Sequence, residues 1–394
     1  MKVLSLFDGI STGQYCLNDL GYDIEEYYAS EIDKSAIAIS KYNFPDIVQI
    51  GDVSRIDFNE YANKGIDLIS SGSPCQNLSI ANKNRQGIFG KESNLFFYFL
   101  RALEIVKPKY FIQENVASMK NEDKEIITKA LTALYPDTQC YCINSSLVSA
   151  QKRNRYYWTN IPNVTQPEDK GIMLKDIAQP VEEITENMYL SEKMLANFAR
   201  PSGKNGSFHF KPMDVNVVEK CPTLTARYFK MGRTDPYIIV SDGSVKQDGD
   251  TLRALNNKKI ELKDSEEPYA LKEVRTEEGK ALRRQARLDG KGDTTPRTAD
   301  CKMFVPKDDD KANCLTTSSN IESVIVQPME NKNKLIRKLT PLECERLQTM
   351  GDEYTKYGIN EQGNTYELSN TARYKALGNG WTCDVIAHIF SGLK

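Results

Sequence analysis

Short apolar runs, each closed by a glycine turn or a carboxylate and followed by a helical pattern, recur through the first third of the chain. Residues 3–7 read as a buried strand, followed by Asp8-Gly9-Ile10-Ser11-Thr12-Gly13 and a helix carrying Tyr15, Leu17 and Leu20. A second strand, 27–30, ends at Glu31 with a helix from Asp33, and a third, 48–50, runs into Gly51-Asp52. The fourth begins at Leu68, passes through small residues and turns at Pro74 into Cys75; the fifth, 110–113, ends at Glu114-Asn115. Helices over 93–106 and 124–134 and strands within 141–148 and 156–160 complete this part. Strands alternating with helices make an α/β fold with a parallel sheet, and such sheets carry their chemistry at the carboxyl edge of the strands.

From about Pro162 the pattern changes to scattered prolines and glycines and Thr-rich pieces at 221–228, 294–301 and 313–320. Regular structure returns at Leu335, where 337–350 has Thr340 as N-cap, Pro341 in the first turn and an apolar face of Leu342, Leu347 and Met350. Residues 374–390 hold the loop Leu377-Gly378-Asn379-Gly380-Trp381 and then an apolar helix. The chain is expected to divide into three parts, 1–188, 189–334 and 335–394.

Composition narrows the chemistry. With 394 residues, 40% hydrophobic content and a net charge of −2, a soluble globular protein is expected, and any polyanion must meet a local basic patch. Lys220, Arg227, Lys230 and Arg233 form one such cluster, and Arg275 to Lys291 another. Nine cysteines without paired CxxC spacing, and only two histidines, His209 and His388, argue against a zinc site and against a disulfide framework, so no metal is expected. No run approaches membrane-spanning length, and the location expected is the cytoplasm.

Cys75, delivered to the sheet edge, is a candidate nucleophile, although a lone strand-end cysteine is more often a core residue. Glu31 and Asp52 stand where such folds hold a ribose and a base, or they are helix caps. Arg153 and Arg155, at alternate positions of an extended segment, make either a clamp for phosphate or carboxylate or a solvated basic turn. The first glycine turn is not GxGxxG, so a nicotinamide cofactor is not favoured.

Taken together, LFDGISTG, the Glu31 strand end, GDV, GSPCQ followed by LS, ENV, QKRNR, RKLTPLECERLQ and LGNGWT resemble the C5-cytosine DNA methyltransferases, in that family's order. The resemblance covers most of 1–160 and 335–394. SLFDGISTG, GSPCQNLSI and the Trp381 loop are similar to the mammalian de novo enzymes, and the rest to bacterial or phage ones, which would place the protein in a bacterial or phage-infected cell.

The resemblance implies a Rossmann-like, class I S-adenosylmethionine-dependent sheet with an inserted, irregular, β-containing target-recognition domain. It implies Cys75 as the thiolate that adds to cytosine C6, and a protonated Glu114, its pKa raised by burial, at N3. Arg153 and Arg155 would hold the base and its charge, and Asn115 would anchor the loop and the amino group. Phe7, Asp8, Ile10, Thr12, Glu31, Ile32, Asp52, Val53, Pro74, Asn379, Gly380 and Trp381 would hold S-adenosylmethionine, leaving S-adenosylhomocysteine. Gln76, Ser79, Thr223, Arg227 and Arg233 would meet double-stranded DNA, whose target base must be flipped out, and 76–91 would close over it. A monomer is expected, and a cognate restriction endonuclease stays open. The alternatives are a tRNA cytosine methyltransferase, disfavoured by the large middle region, and an inactive DNA-binding paralogue, disfavoured by the joint presence of Cys75, Glu114, Arg153 and the cofactor motifs.

Overall fold

The computed structural model describes residues 1–74, 78, 87–89, 95–198, 210–241, 259–260, 269–275, 281, 302–306, 324–326 and 334–393. Seven strands form its main sheet: β1 (Lys2–Leu6), β2 (Glu26–Ser30), β3 (Val48–Gln49), β4 (Leu68–Ser71), β5 (Tyr110–Val116), β6 (Gln139–Asn144) and β7 (Asn154–Thr159). Their order is β3-β2-β1-β4-β5-β7-β6, and the first five run parallel. Val3, Leu4, Leu6 and every residue of β4 are buried, as expected of strands covered on both faces by helices. The order reverses between β1 and β4, and at such a switch point the helices leave on opposite faces and open a crevice above the carboxyl ends.

β5 is longer than the apolar pattern predicts. Its end, Glu114-Asn115-Val116, is polar enough to read as a loop, yet antiparallel β7 pairs with it through Glu114↔Tyr157 and Val116↔Arg155. Glu114 and Asn115 are therefore held inside a strand. Among the helices are α1 (Thr12–Asp19), α2 (Lys34–Asn43), α3 (Asn59–Ala62), α4 (Phe96–Val106) and α5 (Asn121–Leu134), then, later in the chain, α6 (Pro341–Leu347), α7 (Asn370–Asn379) and α8 (Cys383–Phe390). Asp33 caps α2 by accepting from the backbone N–H of Ser35 and Ala36, each at 3.1 Å. Beneath the sheet, Phe96, Phe99 and Leu103 of α4 and Ile127 and Leu131 of α5 pack with Leu4, Ile69 and Phe111.

The C-terminal part folds back on the first turn of the chain. α8 lies along α1, with the Cys16 thiol donating to the Cys383 carbonyl at 3.3 Å and the Tyr22 hydroxyl donating to the Leu393 carbonyl at 2.9 Å. A hairpin that the sequence pattern does not announce, Tyr357–Ile359 with Thr365–Glu367, packs on α2.

Residues 1–180, 213–236 and 339–394 form one compact unit, and 181–212 with 237–338 form another. Residues 213–236, read from the sequence as part of the inserted region, thus cluster with the sheet. In the second unit, Tyr269–Arg275 pairs antiparallel with Lys302–Pro306 and Val324–Val326, and Lys334–Lys338 pairs with Tyr237–Ser241. Among the described residues, no helix is long and apolar enough to cross a membrane.

The start of α6 carries a reciprocal cap: Thr340 Oγ1 accepts from Glu343 N at 3.1 Å, and Glu343 Oε2 accepts from Thr340 N at 2.8 Å. Thr340→Ala removes one half of it and should lower stability by about 1 kcal/mol, read as a shift of the urea midpoint at unchanged slope.

Candidate active site

The turn after β1 is built from alternating left-handed residues, Phe7, Gly9 and Ser11, with φ of 58°, 62° and 58°. Such a turn aims successive N–H groups inward, and two of them are claimed by β2: Asp8 N donates to Ser30 O at 3.0 Å, and Gly9 N donates to Glu31 Oε2 at 2.8 Å. The other oxygen of Glu31 accepts from Ile32 N and Asp33 N at 2.7 and 2.9 Å. Glu31 thus both caps and bridges, with lone pairs still available to a hydroxyl. Beside it Ile32 is 72% exposed, a flat apolar surface at the mouth of the crevice. Asp52 accepts from Ser54 N, which holds its carboxyl below the usual carboxylate range.

Asp8 is different. Its oxygens accept from Ser11 Oγ at 2.5 Å and Tyr27 Oη at 2.8 Å, and desolvation pushes its carboxyl above the usual range. Ile10 and Thr12 are buried behind the turn, and Val53 belongs to the core. The C-terminal loop closes this cradle: a Cβ on Gly380 would lie 3.7 Å from Ile10 Cδ1, and one on Gly72 only 2.8 Å from Trp381 Nε1. Asn379 is exposed, Gly380 buried and Trp381 half-buried.

At the end of β5 three consecutive residues divide their work. Gln113 Nε2 donates to Ser73 Oγ at 2.8 Å, and Asn115 Nδ2 donates to the Ser73 carbonyl at 3.2 Å. Both point to one face, as alternate strand residues must. They fix the segment Gly72-Ser73-Pro74 that leads into Cys75. Glu114 forms an ion pair with Arg155, Oε1 to Nε 2.8 Å, and its other oxygen accepts from Trp381 Nε1 at 3.2 Å.

Arg153 is not at this carboxylate. Its side chain is buried and donates to the carbonyls of Leu224 at 3.0 Å, Gly380 at 2.9 Å and Gly378 at 3.4 Å. The two arginines differ in what they meet: Arg155 lies against Glu114, and Arg153 donates to backbone carbonyls. Thr223 donates to the Lys152 carbonyl at 2.5 Å, Arg227 is exposed and Arg233 half-buried. Cys75, Gln76, Ser79 and most of the expected mobile segment 76–91 lie outside the described residues. Of the cysteines that are described, burial pushes the thiol of Cys221 up to about 12 and that of Cys140 up to about 11, and raises those of Cys344 and Cys383 well above the usual thiol value.

A family model described as C-5 cytosine-specific DNA methylase matches residues 1–394. The chain belongs to the C-5 cytosine-specific DNA methylases. The methylase is 25% identical to the orphan methyltransferase M.SPRI of Bacillus phage SPR, over 100% of this chain and 97% of that protein. It is 24% identical to the type II methyltransferase M.Bsp6I of Bacillus sp. (strain RFL6), over 62% of this chain and 82% of that one. Its fold is similar to that of Dnmt2 from S. pombe, with a TM-score of 0.59 and 14% identity over 99% of this chain and 97% of the other.

Some residues of the methylase's edge carry no signal strong enough to single them out in sequence. Ser73, the anchor for Gln113 and Asn115, looks like a turn filler. Gln151 and Gln348 sit inside quoted motifs, QKRNR and ERLQ, but an amide announces no chemistry of its own. The signal that could have found them is burial, since both are fully enclosed.

Gly72→Ala should push the Trp381 indole away from Glu114. In a Trp158→Phe background Trp381 is the sole tryptophan, and the expected outcome is a shifted emission maximum with a stability loss of about 1–3 kcal/mol. An unchanged spectrum would mean that the indole does not rest on residue 72.

Proposed function

We propose that this methylase transfers a methyl group to C5 of a cytosine turned out of a DNA duplex, with Cys75 as the attacking group. The observation that carries the reading is Glu114. Its carboxylate is clamped by Arg155 and Trp381 at the sheet edge, one strand from the Gly72–Pro74 segment that Gln113 and Asn115 fix just before Cys75. Cytosine C5 is a weak nucleophile, and adding a thiolate to C6 makes it enamine-like. In that step the S–C6 bond forms, the C5–C6 π pair moves toward C5 and N3, and a donor at N3 stabilises the charge.

Glu114 supplies that donor once it carries a proton. Both its oxygens face a partner here, so one partner must yield. The neutral indole bond, at 3.2 Å, is weaker than the close ion pair with the guanidinium at 2.8 Å, and it is the one that gives way. Arg155 then stays to orient the carboxyl. Later loss of the C5 proton and breakage of S–C6 return the thiol. The burial-raised thiols of Cys140, Cys221, Cys344 and Cys383 make poor thiolates and are poor candidates for this role.

The groups around the first turn fit S-adenosylmethionine: an acceptor with spare lone pairs at Glu31, an exposed apolar face at Ile32, an ionised acceptor at Asp52 and a small-residue floor at Gly72 under Trp381. When bound there, it supplies the electrophilic methyl group on a sulfonium. The exposed Arg227, on the segment that pairs beside Gln151, is placed to meet a phosphate or a base edge. A flipped base costs a few kcal/mol to extract, which these contacts must supply.

Incubation with methyl-labelled cofactor and, in parallel, plasmid DNA and tRNA tests the reading; label should enter the DNA. Label on tRNA alone would replace it with the RNA reading, and label on neither would defeat it. Cys75→Ala should lose turnover while still binding S-adenosylhomocysteine, and Glu114→Gln should lower kcat by about 10²-fold or more. A Glu114→Gln enzyme at full speed would remove the acid from the mechanism.

A further inference from the structure

Gln151, Arg153 and Arg155 are alternate residues of one extended segment, and only Arg155 reaches the carboxylate at the reacting edge. The other two grip the backbone of a single residue elsewhere. Leu224 N donates to Gln151 Oε1 at 2.7 Å, and the Leu224 carbonyl accepts from Arg153 Nη1 at 3.0 Å. The segment around Leu224 also runs parallel to this one, with Cys221 N donating to Ala150 O at 2.8 Å and Lys152 N donating to Cys221 O at 2.9 Å. The piece of chain that ends in exposed Arg227 is thereby fixed to β7.

The second nitrogen of the same guanidinium turns the other way. Arg153 Nη2 donates to Gly380 O at 2.9 Å and Gly378 O at 3.4 Å, carbonyls at the C-terminus of α7 that the helix itself leaves unpaired. A cation there also complements the negative end of the helix dipole. Gly380 is followed directly by Trp381, the donor to Glu114. Gln348 holds the same turn from below, its Nε2 donating to Leu377 O at 2.7 Å and its Oε1 accepting from Thr382 Oγ1 at 2.9 Å. Contact between the two arms is direct: a Cβ on Gly378 would lie 2.3 Å from Ala226 N.

One buried fork therefore joins the cofactor-side turn 378–381 to the DNA-side segment 223–227. Resting on the function proposed above, we infer that Arg153 is a positioning residue that couples the two ligand sites. It acts through Trp381 and through Leu224 and does not touch the base. When one ligand sets its turn in place, the other turn is set with it, so cofactor and DNA bind with positive, reciprocal coupling. Lysine stands in only in part, because a single ammonium lacks the fork that spans two backbones.

The test reads binding, not turnover. In the Trp158→Phe background, Trp381 fluorescence is titrated with S-adenosylhomocysteine, with and without saturating plasmid DNA. The parent protein should bind it several-fold more tightly with DNA present. Arg153→Met should weaken binding of each ligand by about 5-fold or more and bring the ratio close to one. Arg155→Met should keep the ratio and lose kcat. Thermal melts check that the variants fold; if Arg153→Met does not, Arg153→Lys carries the test, with a ratio between parent and one.

A folded Arg153 variant with the parent's ratio, or one that loses kcat with both affinities intact, overturns the assignment and returns Arg153 to the base. A parent protein whose affinity for S-adenosylhomocysteine is indifferent to DNA overturns it as well. These outcomes are separate from failure of the function reading, which shows as absent label transfer by the unmodified enzyme.

Discussion

A buried polar side chain that loses its partner costs roughly 1–3 kcal/mol, and much of this sheet edge is assembled under that constraint. Stretches far apart in the chain, 72–74, 113–115, 151–155, 221–227, 347–348 and 377–382, meet at one end of the sheet. Side chains seeking backbone atoms join them, as with Gln151 to Leu347, Ser149 to Leu347 and Gln348 to Leu377. Apolar packing brings these segments together but is indifferent to small slides. A hydrogen bond of 2.7 Å is not, and directional bonds therefore set where Glu114 and Trp381 stand.

The same constraint divides roles among neighbours of like chemistry. Arg153 and Arg155 are two residues apart, yet one lies among carbonyls and the other against a carboxylate. Gln113 and Asn115 serve the Ser73 segment, while Glu114 between them faces two donors from other parts of the chain. Strand alternation produces both divisions. Motif spacing alone shows that these residues belong together, not which of them meets the reacting group.

Much of this was legible in the sequence. The five parallel strands, the cap at Thr340 and the turn after β1 all follow from apolar periodicity and helix-capping residues, and the motif set pointed to the family. The extension of β5 through Glu114 did not, because it depends on an antiparallel partner some forty residues later. Nor did the place of residues 213–236, which read as irregular chain and are held to the sheet by a bridge from Gln151 to Cys221 and by Lys220 donating to three carbonyls. Irregular backbone fixed by side chains leaves no period to detect.

Gly378 shows what such an assembly implies for the order in which the molecule becomes competent. Its missing side chain lets the α7 terminus lie directly against the backbone of Thr225 and Ala226, across more than a hundred intervening residues. During synthesis, Arg153 and Leu224 leave the ribosome long before the glycine that completes their joint. Until it arrives the guanidinium has only part of its carbonyl cage and Glu114 lacks its indole, so the joint is the last part of this edge to form as the chain emerges.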